Sequence, residues 1–500
     1  MKNSFKHFTA VLLSTIAISS CSLIDIEYDN ALSSSNMWKD PSDLEQSVPT
    51  IYQRLRNFFS AAECNSFYFG EIRVGDSIWG PSLEAKVQDN FKIACRHNTL
   101  TASQTISWSG IYSAIDQANA VLDNSSKCNA QQSLVDWANA QAYFARAYAY
   151  FHVARVWGYA PLNLRSITST SQPECYPEQV TPEEIYAQVG KDIEACEALV
   201  GNLGSDKYLA TSAALYMLKA DYAMWMYASQ NGGDSYLAMA DAALSKLNLS
   251  SSSLLSDYAS VFSRTNENNA EVIFSLCNST SSTGGYQIYF CQPGDKIAAA
   301  YRNNPVPISS TQWWAYPQSF VDELKKQEAA GDSRVATNLG YGPYSSDADK
   351  HEITWCNKYL GDMSKTPVIH DTDLIYYRYG YALMLLAELK YYQKDYTASL
   401  AALNMVAKRA YGKDNYYTDK TPAVLLDNIV KEYYYEFLSE GVIWWALIRT
   451  GYIWDIEPNS EMPGQTFATM RATNPNILLW PIANSSLTKN HKLHQIEGWS

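Results

Sequence analysis

The chain has 500 residues, 47% of them hydrophobic and 18% charged, a globular balance that excludes both disordered and collagen-like proteins. Its 51 acidic and 38 basic side chains give a net charge of −13, which disfavours a nucleic-acid partner because phosphate binding requires clustered basic residues. The unusual feature is the 37 tyrosines and 14 tryptophans, since both side chains suit wet recognition surfaces.

The first twenty residues are typical of a secretory signal peptide. Two lysines precede an apolar run over residues 8–18, and small residues then lead to Cys21. The segment ending in Cys21 resembles a bacterial lipobox, which predicts acylation of this cysteine; an ordinary signal cleavage site is the alternative. No other run is long and apolar enough to span a bilayer. We therefore predict a lipid-anchored protein in which residues 21–35 form a flexible tether.

Long helices with one apolar face follow the tether. Apolar residues from Trp137 to Ala154 recur every three or four positions, which predicts one helix that ends near Gly158. The segment 181–184, Thr-Pro-Glu-Glu, has the N-cap, first-turn proline and acidic residues of a helix start. This second helix is predicted to run to about Leu199.

Two later helix pairs resemble the antiparallel hairpins of tetratricopeptide repeats. The first pair covers 209–227 and 236–247, and the second covers 376–392 and 396–410. Between the pairs, the chain is rich in Ser, Thr, Asn, Gly and Pro and contains short strand-like runs. We therefore predict a mostly α fold, a tetratricopeptide-like scaffold of helical hairpins with long irregular loop excursions and a few short strands. Two strand-like runs carry the β prediction: Glu271–Cys277 and Tyr286–Cys291.

Eight segments, taken in chain order, match the pattern of one family. They are Ile115–Leu122, Ala142–Leu162, Thr181–Ile193, Ala270–Phe274, Tyr377–Glu388, Leu425–Glu432, Glu436–Gly451 and Pro481–Gln495. In this order they make the chain resemble the SusD/RagB family of outer-membrane nutrient-binding lipoproteins. The resemblance implies a signal peptide over 1–20, an N-terminal SusD-like helical region over 36–250 and a C-terminal RagB/SusD-like region over 251–500. The implied location is the cell outer membrane, with the protein facing outwards.

Catalysis has no support from sequence motifs. Nucleophile-elbow, zinc-protease, P-loop and dinucleotide-binding signatures are all missing, so we predict no catalytic residue, no metal and no cofactor. Glu432, Glu436 and Glu440 share one face of a helix. A solvated or arginine-paired face is the favoured interpretation of these acids, ahead of acid–base catalysis or cation binding.

Aromatic residues outside helical periodicity are the candidate ligand-binding groups. Sugars expose C–H faces that a flat ring covers, while neighbouring polar side chains hydrogen-bond the hydroxyls. The strongest candidates are Trp79, Trp313 and Trp314. The full candidate set is Asp76, Trp79, Tyr289, Asn303, Trp313, Trp314, Tyr341 and Tyr344. For each ring, the alternative is that it anchors its own loop to the scaffold.

The resemblance favours a cell-surface glycan-binding lipoprotein that captures oligosaccharide or polysaccharide and caps a SusC-like TonB-dependent transporter for import. The implied partners are that transporter, a glycan ligand and the outer membrane. A RagB-like peptide receptor of the same architecture is the alternative, and a surface glycoside hydrolase is a third, less favoured, hypothesis.

Overall fold

The computed structural model describes residues 37–61, 64–82, 90–169, 175–278, 312–343, 352–362, 364–365, 369 and 371–499. Helices dominate these residues, as predicted. They are α1 (Pro41–Phe59), α2 (Asn65–Gly70), α3 (Asn90–His97), α4 (Ser109–Asn124), α5 (Gln132–Val156), α6 (Pro182–Ala198), α7 (Ser212–Gln230), α8 (Asp234–Ser245), α9 (Gln318–Ala329), α10 (Val335–Asn338), α11 (Tyr379–Tyr392), α12 (Tyr396–Tyr411), α13 (Pro422–Phe437), α14 (Ile443–Thr450), α15 (Phe467–Met470) and α16 (Asn484–Lys489).

The strands are short and form four separate antiparallel pairs within the described residues. The pairs are β1 (Gly80–Pro81) with β5 (Trp314–Ala315), β2 (Ala160–Pro161) with β3 (Gln179–Val180), β4 (Val272–Leu276) with β8 (Leu374–Arg378), and β6 (Gly340–Pro343) with β7 (Glu352–Trp355). The predicted strand over 271–277 is confirmed as β4. The predicted strand over 286–291 and the proposed anchor Cys21 lie outside the described residues.

The predicted start of α6 is confirmed in detail. The Glu184 N–H donates to Thr181 Oγ1 at 3.4 Å, and the Thr181 N–H donates back to Glu184 Oε2 at 2.9 Å. This reciprocal capping box satisfies two backbone donors that an uncapped helix would leave open. Pro182 occupies the first helical position, where its missing N–H costs nothing.

The two helical hairpins are confirmed, with one correction. α7 and α8 are joined by three residues, as are α11 and α12, and connections this short place consecutive helices antiparallel. The prediction that the third helix of this set begins at Tyr376 is wrong, because residues 374–378 form β8 and α11 begins at Tyr379. Pairing of Tyr377 with Phe274 of β4 overrides the local helical pattern.

One continuous core holds these elements together. Most buried apolar side chains from Leu44 to Ile496 form one large cluster, to which both predicted regions, 36–250 and 251–500, contribute. Two small clusters lie beside it, one of Ile353 and Trp355 and one of Ala407, Ala410 and Tyr411. Trp157 and Trp444 belong to the large cluster and have no exposed surface. No helix in the described part of the chain is both long and apolar enough to cross a membrane.

A network of ion pairs is buried in the second half of the chain. Its nine members have side chains at most 4% exposed and comprise five carboxylates and four cations: Glu271, Asp332, Glu432, Glu436 and Glu440 with Arg334, Lys358, Arg378 and Arg409. Burial opposes the ionisation of Glu436, but Arg409, Arg378 and Arg334 outweigh it and hold the pKa of Glu436 well below its usual value. Glu432, Glu436 and Glu440 are therefore all arginine-paired, as the favoured interpretation predicted, but only Glu432 and Glu436 share a helix face, because α13 ends at Phe437 and Glu440 lies in the following turn.

Candidate functional site

Two distant segments that carry sequence candidates meet in one cluster of strands. Gly80 of β1 pairs with Ala315 of β5, and the Ser82 N–H donates to the Trp313 carbonyl oxygen at 3.0 Å. The hydroxyl of Thr354 on β7 accepts the Tyr316 N–H at 2.8 Å, which joins β5 to the β6–β7 pair. We call β1, β5, β6 and β7 the strand cluster.

Trp79 is a structural residue and not a ligand platform, so the prediction for it is wrong. Its side chain has no exposed surface, and its ring centroid lies 4.7 Å from that of Tyr316 and 5.1 Å from that of Phe67. Its indole N–H donates to Glu71 Oε1 at 2.9 Å. The glycines and proline beside Trp79 do mark a loop, but that loop folds inwards onto the core.

Trp314 must be corrected in the same way. It is 1% exposed, and its indole N–H donates to the hydroxyl of Tyr68 at 3.2 Å. Its neighbour Trp313 points differently because successive side chains of an extended segment face opposite sides. The pair predicted as one binding unit is therefore divided between the core and the surface.

Asp76 is occupied by the protein itself. One carboxylate oxygen lies 3.1 Å from Arg96 Nε, and the other accepts the backbone N–H of Ser460 at 2.9 Å and its hydroxyl at 2.6 Å. These contacts tie the segment containing Asp76 to the loop around Ser460. The carboxylate therefore fixes the turn that precedes β1 and is engaged by the protein itself.

Glu71 is the buried hydrogen-bond partner of Trp79, and the sequence did not reveal it. Its carboxylate accepts N–H groups from Ser439 at 2.8 Å and Gly441 at 3.2 Å, in addition to the Trp79 indole. Burial raises the pKa of Glu71 to about 7, although these three donors act in the opposite direction. No local sequence signal reveals this contact, because Glu71 and Ser439 are 368 residues apart.

The raised pKa of Glu71 gives a prediction about stability and pH. Folding takes up a proton at Glu71, so its contribution is complete below the ordinary value of 4.5 and is lost as the pH rises through about 7. Glutamine does not titrate, so the free energy of unfolding of Glu71→Gln should rise relative to that of wild type as the pH increases from about 5 to about 8. Urea unfolding at a series of pH values measures this difference. The exposed Glu45 of α1 provides the control, Glu45→Gln. A constant difference between wild type and Glu71→Gln across this range would contradict the assignment.

Two aromatic candidates do reach the surface. Trp313 is half-buried, and Lys92 Nζ lies 3.7 Å from the centroid of its ring. Tyr341, on β6, is 38% exposed, and Lys325 Nζ lies 4.4 Å from its ring centroid. Both are cation–π distances, which hold each ring in place from one side. We call Trp313 and Tyr341, with these two lysines, the platform.

The remaining candidates, Tyr289, Asn303 and Tyr344, lie outside the described residues. The lysines of the platform were missed by sequence reasoning. Lys92 precedes Trp313 by more than two hundred residues, and Lys325 lies on an ordinary amphipathic helix, α9. No local sequence pattern marks either lysine as the neighbour of an aromatic ring.

The platform provides chemistry suited to binding. Flat rings offer apolar faces, and the partly exposed ammonium group of Lys325 can donate hydrogen bonds to hydroxyl or carboxylate oxygens, whereas Lys92 is buried. Among the described residues, no group of three or more His, Cys, Asp or Glu side chains is placed to hold a metal ion. The carboxylates next to the strand cluster, Glu71 and Asp76, are each engaged by several protein donors.

Two family models match the chain. One, described as starch-binding associating with outer membrane, matches residues 34–221. The other, described as the SusD family, matches residues 270–499. Between them they leave only 1–33, 222–269 and Ser500 unmatched.

Individual relatives match along almost the whole length. SusD-like protein P38 of Formosa agariphila is 24% identical, with 97% of each chain covered. NanU of Bacteroides fragilis superposes with a TM-score of 0.76 at 24% identity, over 93% of this chain and 98% of that one. Surface glycan-binding protein A of Bacteroides thetaiotaomicron, in complex with laminarihexaose, has a TM-score of 0.71 at 20% identity, over 91% and 99% of the two chains. The structural likenesses establish the fold.

Proposed function

Because this chain belongs to the SusD/RagB family, we propose that it is a non-enzymatic glycan-binding protein of the outer-membrane surface. It captures an oligosaccharide or polysaccharide and delivers it to a SusC-like TonB-dependent transporter that it caps. Cys21 would carry the lipid that anchors it. The glycan-binding relative named above supports the ligand class.

The observation that carries the proposal is the platform. Trp313 and Tyr341 are the candidate rings that combine surface exposure with a fixed position on the strand cluster. A ring held from one side by a lysine loses little conformational freedom on binding, which favours affinity. Lys325 is partly exposed and can donate to the hydroxyls of a sugar stacked on Tyr341, whereas Lys92 is buried and supports its ring.

The two carboxylates next to the strand cluster, Glu71 and Asp76, do not favour the hydrolase alternative. Glycoside hydrolysis needs two carboxyl groups about 5–10 Å apart with access to the substrate. Glu71 has no exposed surface, and Asp76 is paired with Arg96. Glu352 forms an ion pair with Lys325 at 3.6 Å.

We expect Trp313→Ala to weaken glycan binding by about 30-fold, equivalent to about 2 kcal/mol, because truncation removes the largest ring of the platform. The measurement is affinity electrophoresis of the full chain, purified in detergent, through gels containing laminarin, starch or other polysaccharides. Binding appears as retardation by a particular polysaccharide.

Trp454→Ala is the matched control. Trp454 is also half-buried under a cation, with Arg471 4.7 Å from its ring centroid, but it lies outside the strand cluster. If both variants lost the same amount of glycan affinity, the glycan would not bind specifically at the platform. If no polysaccharide retards the wild type, a pull-down with peptides tests the RagB-like alternative.

A further inference from the structure

Three of the six large apolar side chains that stay exposed in the described part of the chain lie in one hairpin. They are Leu164 and Ile167, each 37% exposed, and Tyr176, 47% exposed. The hairpin extends from the β2–β3 pair, and its described residues are 162–169 and 175–178. Single exposed apolar residues are ordinary on a protein surface, whereas a group of them indicates a contact site. We call these three side chains the apolar hairpin patch.

The two arms of the hairpin lie close together. They pair at the base through β2 and β3, and further out the Cys175 thiol donates to the Ser169 carbonyl oxygen at 3.2 Å. Ile167 precedes Ser169 by two residues, and Tyr176 follows Cys175 directly. The exposed side chains of the two arms are therefore neighbours on one surface.

Contacts with the scaffold hold both arms in place. In the first arm, the Ser166 N–H donates to Asp123 Oδ2 of α4 at 2.9 Å. In the second arm, the Pro177 carbonyl oxygen accepts the Asn490 side-chain N–H at 2.7 Å. The patch is thus exposed in a fixed conformation, and it loses little freedom when a partner covers it.

The hairpin lies on the side of the molecule where the chain arrives from Cys21. The Asn129 N–H donates to the Lys39 carbonyl oxygen at 2.7 Å, close to the start of the described chain. Asp123, which holds the first arm, is six residues from Asn129, so their Cα atoms are at most about 22 Å apart. Cys21 precedes Lys39 by eighteen residues, a span of at most about 65 Å. A lipid on Cys21 would therefore bring the hairpin within reach of the membrane that holds it.

The charges of the hairpin suit a zwitterionic lipid surface. Arg165 is the one ionisable side chain within residues 162–169; it is 70% exposed and pairs with Asp123 at 2.8 Å. A long cationic side chain can reach lipid phosphates while its apolar neighbours enter the interfacial zone, where tyrosine is also favoured. The net charge of −13 opposes adsorption to an anionic surface, so burial of apolar groups must supply the affinity.

We propose that the apolar hairpin patch docks against the interfacial zone of a zwitterionic phospholipid bilayer. It is a second membrane contact beside the lipid on Cys21, and it fixes the orientation of the protein on the surface. The inference rests on the proposed function only for the anchor that brings the hairpin to the membrane. The contact itself involves no residue of the platform.

The test is flotation of residues 22–500 in a density gradient with vesicles of phosphatidylcholine and phosphatidylethanolamine. This chain contains every described element and carries no lipid, so any binding comes from the folded protein. The variant combines Leu164→Ser with Ile167→Ser, which removes two exposed apolar side chains. Val424→Ser is the matched control, because Val424 is 39% exposed on α13 and lies outside the hairpin.

We expect wild type and Val424→Ser to float equally, and the double variant to bind at least about tenfold more weakly. Binding should persist in about 1 M NaCl, where surface electrostatics are screened. If the double variant lowers the melting temperature, Tyr176→Ser replaces it, with an expected loss of at least about threefold.

The proposal is overturned if wild type does not float, if the hairpin variants float like wild type, if Val424→Ser loses as much, or if salt abolishes binding. Failure of the proposed function appears separately. A full chain that takes up no labelled fatty acid at Cys21 would contradict the anchor, and polysaccharide retardation that does not depend on Trp313 would contradict the platform.

Discussion

Arg378→Met is expected to destabilise the protein by about 3–5 kcal/mol, the cost of removing one partner from a buried ion pair. Arg378 Nη1 contacts Glu271 at 2.9 Å and Glu436 at 2.6 Å, and its Nε contacts Glu440 at 2.7 Å. The substitution keeps most of the side-chain volume and removes the charge. The loss is therefore electrostatic and not the result of a cavity.

The charge count of the network makes this loss severe. Five carboxylates already face four cations, so removing Arg378 leaves two carboxylates without compensation in a region shielded from water. Chemical denaturation, with the free energy of unfolding extrapolated to water, measures the effect.

A surface ion pair supplies the control for Arg378. Lys431 pairs with Asp427 at 2.7 Å, but both side chains are about half exposed. Lys431→Met should change stability by no more than about 0.5 kcal/mol. Comparable effects of the two substitutions would show that burial does not govern the strength of these pairs.

Gly75→Ala is expected to cost about 2–4 kcal/mol, through backbone strain and a steric clash together. Gly75 has a φ of +68°, and an added Cβ would lie 2.0 Å from the carbonyl oxygen of Pro458. That oxygen accepts the Asp76 N–H at 3.0 Å, so it cannot withdraw without losing a hydrogen bond. The melting temperature and urea unfolding report the loss.

Gly201→Ala tests whether the loss of stability comes from the surroundings of Gly75 and not from any glycine-to-alanine substitution. Gly201 is exposed, and an added Cβ there meets nothing within 4 Å. We expect a change within about 0.5 kcal/mol. If Gly75→Ala behaved like Gly201→Ala, the packing of Gly75 against Pro458 would not be essential to the fold.

The helical scaffold could be predicted because its signals are local. The apolar periodicity that defines α5 and the cap at Thr181 act within a few turns of helix. The start of α11 could not be placed, since β8 forms through pairing with β4, about one hundred residues earlier. Residues 374–378 form a strand and not a helix because they pair with β4.

The surroundings of the candidate binding residues were harder to predict than the scaffold. Glycine and proline neighbours correctly marked the segment containing Trp79 as a loop, but they carry no information about which way the ring points. The buried position of Trp79 depends on its contacts with Glu71 and Tyr316. Glu71 is in turn held by the backbone N–H of Ser439, which is distant in the sequence. The arginine pairing of Glu432, Glu436 and Glu440 was predicted correctly because closely spaced buried carboxylates require cations, although Glu440 lies beyond the end of α13.

The pairing of β1 with β5 has a consequence for the order in which the molecule folds. Gly80 emerges early during synthesis, whereas its partner Ala315 follows only after most of the helical scaffold. Contacts between such distant positions close large loops and form slowly, so helical hairpins such as α7–α8 are complete first. The surface that bears Trp313 is therefore among the last parts of the protein to mature. The chain therefore acquires its helical scaffold before it completes the pairing of β1 with β5.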